Sequence, residues 1–339
     1  MNGKQRINAA LKGEWPDKRP VLLHNFLMAA KEYGVSMKAY REDPEVIAKV
    51  HIHAVEKYGL DGVLIDIDTA TLAGAVGVPV DFPENDPARV HKPAISSLEM
   101  VKDLEPVDIS KNERIQIWLE ACRIIKEHYG NEKFIRGNCD QAPFSLASMM
   151  RTPAEWMMDL MMGDELVFKL LDFCTDATCQ FIQLMAQTGV DMVSNGDSPA
   201  GPDMISPDMY KMFAFPYEKK VVDEAHKLGK LYTLHICGNT DIILDKMIAM
   251  GSDSIELDYK TNIQLVNDIC GKAKVTFSGN IDPSGVIAFG TPEMVAEKAE
   301  ELLGVYKDNP RFIMNAGCAI PGETPSENIK KLVEVTRNY

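Results

Sequence analysis

Short runs of apolar and β-branched residues alternate along the chain with longer amphipathic stretches. The runs are PVLLHNF (20–26), GVLIDID (62–68), KFIRGNC (133–139), DMVSNGD (191–197), LYTLHIC (231–237), SIELD (254–258), KVTFSGNID (274–282) and FIMNAGC (312–318). They are nearly continuous in apolar residues, as strands of a parallel sheet covered on both faces must be. Between them lie stretches such as DPEVIAKVHIHAVEKYG, SPDMYKMFAFPYEKKVVDEAHKLG and TPEMVAEKAEELLGVYK, whose pattern predicts helices. Thr291-Pro292-Glu293 and Thr324-Pro325-Ser326-Glu327 offer a capping hydroxyl, a proline and an acid where a helix would begin. Strand and helix alternating eight times predict an α/β protein, a single (β/α)8 TIM barrel formed by one domain over residues 1–339. The Pro- and Asp-rich segment 69–111 is the longest irregular stretch and is expected to form excursions above the barrel.

Almost every run ends in polar residues: Asn25, Asp66 and Asp68, Asn138 and Asp140, Asn195 and Asp197, His235 and Cys237, Glu256 and Asp258, Asn280 and Asp282, Asn315 and Cys318. In a TIM barrel these C-terminal ends converge on one face, where active sites are built. A single polar strand end means only that a loop begins there. Eight in register, two of them carrying soft metal ligands, point to a deep polar pocket. Asn25, Asn195, Asp197, Asn280 and Asp282 are its candidate substrate contacts, although hydrogen bonding at strand ends accounts for each nearly as well.

His235 and Cys237 stand two residues apart on one run, so strand alternation turns both side chains to the same side. Cys318 closes the last run and would meet them at the mouth of a closed barrel. One imidazole and two thiolates suit zinc, a borderline-soft ion. Glu256, at the end of an intervening run, or a water would take the fourth position. Each cysteine taken alone is as well explained by burial in a core.

Composition narrows the function classes. Hydrophobic residues make up 45% and charged residues 25%, ordinary for a globular protein with a core. The net charge of −14 and the lack of any Lys/Arg-rich run argue against nucleic acid as a partner. The N-terminal stretch MNGKQRINAALKGEWPDKRP is charged rather than signal-like, and no run approaches the ~20 apolar residues of a membrane span. A cytoplasmic location without membrane attachment is expected. The seven cysteines are an odd number, which in a reducing compartment argues against a disulfide framework and leaves thiols for metal or catalysis. The run SMMRTPAEWMMDLMM is expected mainly in helix core and barrel lining, with a pliable docking surface as the alternative. His51, His53, Cys174 and Cys179 fall on helical segments and read as packing or surface residues.

RINAALKGEWPDKRPV, DGVLIDIDTATLAGAVGVPVDFPE, QAPFSLASMM, SGNIDP and NAGCAIPGETPSENI together resemble the uroporphyrinogen decarboxylase superfamily, and the resemblance covers nearly the whole chain. Within it, the zinc-dependent methyltransferases that work with corrinoid proteins fit best. True decarboxylases carry an arginine-rich segment after the first strand, where this chain reads LHNFLMAAKEYG. A substrate with four carboxylates would lack its cationic partners there. The decarboxylase Asp has its counterpart in Asp68, but the decarboxylase Tyr falls at Met149 and its C-terminal His at Cys318. The methyltransferase branch carries HxC on the fifth strand and Cys on the eighth, which implies His235, Cys237 and Cys318 as zinc ligands. The place of Glu256 resembles the glutamate ligand of cobalamin-independent methionine synthase.

What the resemblance implies is zinc-dependent transfer of a methyl group between a small methylated or thiol substrate and the cobalt of a corrinoid, with Glu256 and Asp68 as catalytic carboxylates. The chain has no DxHxxG cobalamin-binding motif, so a separate corrinoid carrier protein is the implied partner. Two other readings stay open. One is a decarboxylase of the same superfamily acting on a non-porphyrin substrate, supported by Asp68. The other is a barrel whose zinc is structural, or which senses a methylated ligand.

Overall fold

Seven of the eight apolar runs pair into one parallel sheet in the computed structural model, which describes residues 1–339. The strands are β1 (Gly62–Ile65), β2 (Phe134–Gln141), β3 (Met192–Gly196), β4 (Leu231–Ile236), β5 (Ser254–Leu257), β6 (Thr276–Ile281) and β7 (Phe312–Ala316), neighbours in the sheet in chain order. Every residue of β1, β5, β6 and β7 is buried, as the near-continuous apolar runs require.

The first run departs from expectation. It forms a single bridge, Val21 to Met314, instead of an eighth ladder strand. Pro20 has no N–H to donate. The Val21 N–H goes to the Asp61 carboxylate at 2.8 Å, and the His24 N–H to the Asn315 side chain at 3.1 Å. Side chains thus take two of the amides that a full ladder strand would pair with its neighbours. The segment still lies between the two edges of the sheet: Leu22 N–H donates to Met314 O, Met314 N–H to Pro20 O, and Asp61 N–H to Val21 O. The coordinates therefore give an α/β fold with a seven-stranded parallel sheet and a one-bridge seam.

Helix α1 (Gly3–Lys12) opens with an Asn2 capping box. Its Ile7 and Ala10 pack with Leu22, Leu64, Phe134, Met192 and Ile313 in a small inner cluster. Most of these belong to strand beginnings, so α1 plugs the N-terminal end of the sheet and leaves the C-terminal end for a site. Helix α2 (Phe26–Tyr33) follows the seam. Helix α3 (Pro44–Tyr58) begins as the sequence suggests, with the Asp43 side chain accepting from Glu45 N–H, Pro44 in the first turn and left-handed Gly59 at the end. His51 on this helix is buried and bonded to Tyr40 Oη at 2.8 Å, a packing role. Thr291 caps α4 (Pro292–Val305) through Met294 N–H. Thr324 does not cap α5 (Ser326–Asn338), because its hydroxyl donates to Pro321 O.

Segment 69–111 contains a short helix, a two-residue hairpin and two 3-10 turns. The methionine-rich run divides: Met150 and Trp156 are buried, while Met161 and Met162 are 81% and 82% exposed. Cys174 is buried and Cys179 half-buried on one long helix. No helix is long and apolar enough to cross a membrane.

Candidate metal centre

The ladder sets the site. His235 sits opposite Glu256 across β4 and β5, and Gly196 opposite His235 across β3 and β4. Cys237 follows β4 directly, and Cys318 follows β7 by two residues. Their ligand atoms and a ring nitrogen of His235 lie within 4.8 Å of one another. His235 Nε2 is 3.1 Å from Cys237 Sγ, and the two sulfurs are 3.6 Å apart. HxC and the distant Cys318 are thus brought together.

The cluster is already polarised. The Cys318 thiol, together with the imidazolium of His235, holds Cys237 down to about 3 against the effect of burial. Burial disfavours a charge on His235, but Cys237 and then Glu256 raise it to about 9. Cys318 is raised, first as the hydrogen-bond partner of Cys237 and then by burial. One thiolate, one further thiol and one imidazole, all at least half-buried, form a donor set that a divalent soft cation fits.

Glu256 is not brought into this set. It sits on the Nδ1 side of the imidazole, with Oε1 3.5 Å from Nδ1, while the thiols gather at Nε2. The Nδ1 position also lies 3.2 Å from the Glu256 carbonyl oxygen. The carboxylate is 1% exposed and is bound by Arg136 and by Asn315 Nδ2 at 3.0 Å. Arg136 in turn donates to Ser194 Oγ at 2.9 Å. Together these groups tether Glu256 in place.

The cluster forms part of the wall of a cavity of about 220 Å3, lined also by His24, Arg41, Asp66, Asp68, Asp140 and Asn195. Of the substrate contacts expected from sequence, only Asn195 lines it, and its side chain is engaged with Cys139 O at 2.7 Å and Tyr232 Oη at 3.1 Å. Asp197 is buried outside the lining and accepts from Ser145 N–H and Oγ at 2.7 and 2.6 Å. Asn25 precedes α2 outside the lining, and Asn280 and Asp282 border a separate groove. Asp282 caps its own turn through Ser284 and Gly285 N–H. Of these four, only Asp282 holds its own turn; Asp197 is taken by Ser145 and Asn280 donates to Asp258 O at 3.0 Å, each tying its strand end to a distant segment, and Asn25 makes no side-chain cap.

Asp68 does line the cavity, yet Oδ1 accepts from Ala70 and Thr71 N–H at 2.8 Å each, and Oδ2 from Thr71 Oγ1 at 2.9 Å. Sequence reasoning missed the three basic residues that join His235 in the cavity wall: His24, Arg41 and Arg136. Arg136 left a signal, since a lone cation inside an apolar strand needs a buried acid. His24 left none, standing beside the residue chosen. Its Nε2 is 2.7 Å from Asp66 Oδ2, and its Nδ1 is 4.0 Å from Glu256 Oε1.

Comparison with known proteins agrees with this construction. The profile of the family "Uroporphyrinogen decarboxylase (URO-D)" matches residues 2–339. A methylcobamide:CoM methyltransferase of Methanosarcina acetivorans is 30% identical, over 99% of this chain and 98% of that protein. A uroporphyrinogen decarboxylase of Prochlorococcus marinus is 26% identical, over 97% of this chain and 95% of its own. A solved methyltransferase structure from Methanosarcina mazei superposes with a TM-score of 0.90 at 26% identity, covering 100% of this chain and 99% of that one. From end to end, in sequence and in backbone, the chain belongs to the uroporphyrinogen decarboxylase family.

Proposed function

We propose that this protein is a zinc-dependent methyltransferase that moves a methyl group between a small molecule and the cobalt of a corrinoid held by a separate carrier protein. The observation that carries the reading is the convergence of His235, Cys237 and Cys318 on the wall of a cavity. The full-length similarity to methylcobamide:CoM methyltransferases supports it. We read the sheet as a (β/α)8 barrel in which segment 20–24 is the eighth stave, and residues 1–339 as its single domain.

His235 Nε2, Cys237 Sγ and Cys318 Sγ would hold the ion. Zinc bound there would supply a Lewis-acidic position that lowers the pKa of a thiol or stabilises a departing heteroatom. Glu256 keeps the imidazole turned with Nε2 toward the thiols, and Arg136 holds Glu256 ionised in a buried place. In the acceptor direction the substrate thiol loses its proton, sulfur forms the new bond to the methyl carbon, and the cobalt–carbon bond breaks with its electron pair left on cobalt. In the donor direction the reduced cobalt attacks the methyl carbon and the heteroatom leaves with the pair. The chain's part in both is to hold the small molecule in line and keep water from it.

The carrier would dock over the C-terminal end of the sheet. Met204, Ile242, Tyr259 and Phe289, each in a segment that follows a strand, are 49%, 59%, 46% and 74% exposed there, a set of apolar side chains suited to a protein partner. The decarboxylase reading rests on Asp68, whose carboxylate is occupied by its own turn.

The test is metal content and turnover. Purified protein should carry about one zinc per chain. A Cys237→Ala, Cys318→Ala double variant should lose both the zinc and methyl transfer to cob(I)alamin or from methylcobalamin. Full zinc retention in that variant would refute the site.

A further inference from the structure

The cavity wall holds four carboxylates, and three of them have a basic side chain beside them. Asp66 Oδ2 is 2.7 Å from His24 Nε2, Asp68 Oδ2 is 3.9 Å from Arg41 Nε, and Glu256 is paired with Arg136. Asp140 has none. Its Oδ2 accepts from Leu72 N–H at 2.7 Å, and its Oδ1 has no hydrogen-bond partner, although the residue is 1% exposed. Of the two arginines in the wall, Arg136 is bound to Glu256 and Ser194, while Arg41 donates to Pro83 O at 3.0 Å and Asp86 O at 2.6 Å and keeps an unpartnered Nε 3.9 Å from Asp68. Asp140 is also one of only three non-glycine residues with positive φ, at 59°. That left-handed conformation, which Asp tolerates better than most side chains, lies near the end of β2.

We infer that Asp140 Oδ1 receives a cationic nitrogen of the small-molecule substrate, so that the compound whose methyl group is transferred carries an ammonium group on the arm away from its reacting atom. This rests on the methyl-transfer reading above and names the substrate class for the same cavity. An unpaired buried carboxylate is costly, and a ligand cation removes that cost. Burial, then the nearby Asp68, push Asp140 well above the ordinary carboxylate range, against the pull of the Leu72 amide and Gln141. That is the condition of a group lacking a cation. An anionic arm would meet Asp140 and Asp68, and the one unpartnered guanidinium donor of the wall, Arg41 Nε, already faces Asp68 at 3.9 Å. The inference therefore separates this chain from a preference for coenzyme M, which ends in a sulfonate.

Three thiols that share one reacting end test it: 2-mercaptoethylamine, 2-mercaptoethanol and 2-mercaptoethanesulfonate, with their S-methyl thioethers for the donor direction. Titration calorimetry on the full-length, zinc-replete protein should rank the ammonium arm tightest, by roughly tenfold or more over the sulfonate. Methyl transfer with cobalamin should follow the same order. Asp140→Asn keeps a residue that tolerates the left-handed backbone and should erase the preference for ammonium over hydroxyl. Equal binding of the hydroxyl and ammonium arms, a preference for sulfonate, or an unchanged order in Asp140→Asn would overturn the inference while leaving the methyltransferase reading intact. No binding and no methyl transfer with any of the six compounds would overturn both.

Discussion

Glu256 shows how much a single residue's place can change its role. From sequence it stands as a possible fourth ligand; in the structure it is pinned on the far side of the imidazole by Arg136 and Asn315. A carboxylate there fixes which ring nitrogen faces the thiols, and partners of that kind typically alter metal affinity 10- to 100-fold. Glu256→Gln should therefore weaken zinc binding by roughly that factor in a chelator competition while leaving the same nitrogen and sulfur ligands in the X-ray absorption spectrum. An unchanged affinity, or the loss of one oxygen ligand from the spectrum, would count against the orienting role. At this scale the sequence was legible where chemistry is rare, as in an imidazole and two thiols at strand ends. It was poorly legible where a common residue has two uses. Asp197 and Asp282 end strands just as Asp140 does, but Asp197 is held by Ser145 and Asp282 by its own turn, and nothing in the linear pattern separates them.

Among the elements, Asp61 joins pieces far apart in the chain. Its buried carboxylate takes Arg6 of α1 at 3.1 Å, the Val21 N–H of the seam at 2.8 Å and Arg337 of α5 at 2.6 Å. Removing the acid leaves the Val21 amide without its partner, while Arg6 keeps Asp17 and Arg337 keeps Arg19 O and Gly59 O, a loss of about 1–3 kcal/mol. Asp61→Ala should lower the urea midpoint accordingly without changing the number of zinc ions bound. A shift worth less than about 1 kcal/mol would show that the seam holds without it. Seven strands were legible because each run is apolar on both faces, and helix starts because capping is local: Asp43 and Thr291 behave as their neighbours imply. The first run was read as an eighth strand because its composition is that of a strand. What sets it apart, the capture of its amides by Asp61 and Asn315, depends on residues 40 and 291 positions away.

For the whole molecule, the plugged N-terminal end and the open C-terminal end make one face the working face. If a carrier protein seats there, placing a charge among the exposed apolar groups should be felt by the carrier. Phe289, 74% exposed, is the most prominent. Phe289→Glu should raise the KM for a carrier-bound corrinoid by roughly tenfold, as loss of an aromatic anchor does at other interfaces. An unaltered KM would place docking elsewhere. The direction of the sheet, and with it the working face, followed from the order of apolar runs alone.

The seam that joins Val21 to Met314 also governs how this chain can be made. The first run must wait for residues made much later, since β7 is its partner and Arg337 completes the bonding of Asp61. A nascent chain shorter than about 312 residues has no β7 to offer. Until that portion has emerged from the ribosome, the inner cluster of Leu22, Leu64, Phe134 and Met192 lacks Ile313 and stays accessible to chaperones and to other chains. Truncation before β7 would therefore leave the first run without its partner, and closure of the seam is expected only once β7 has left the ribosome.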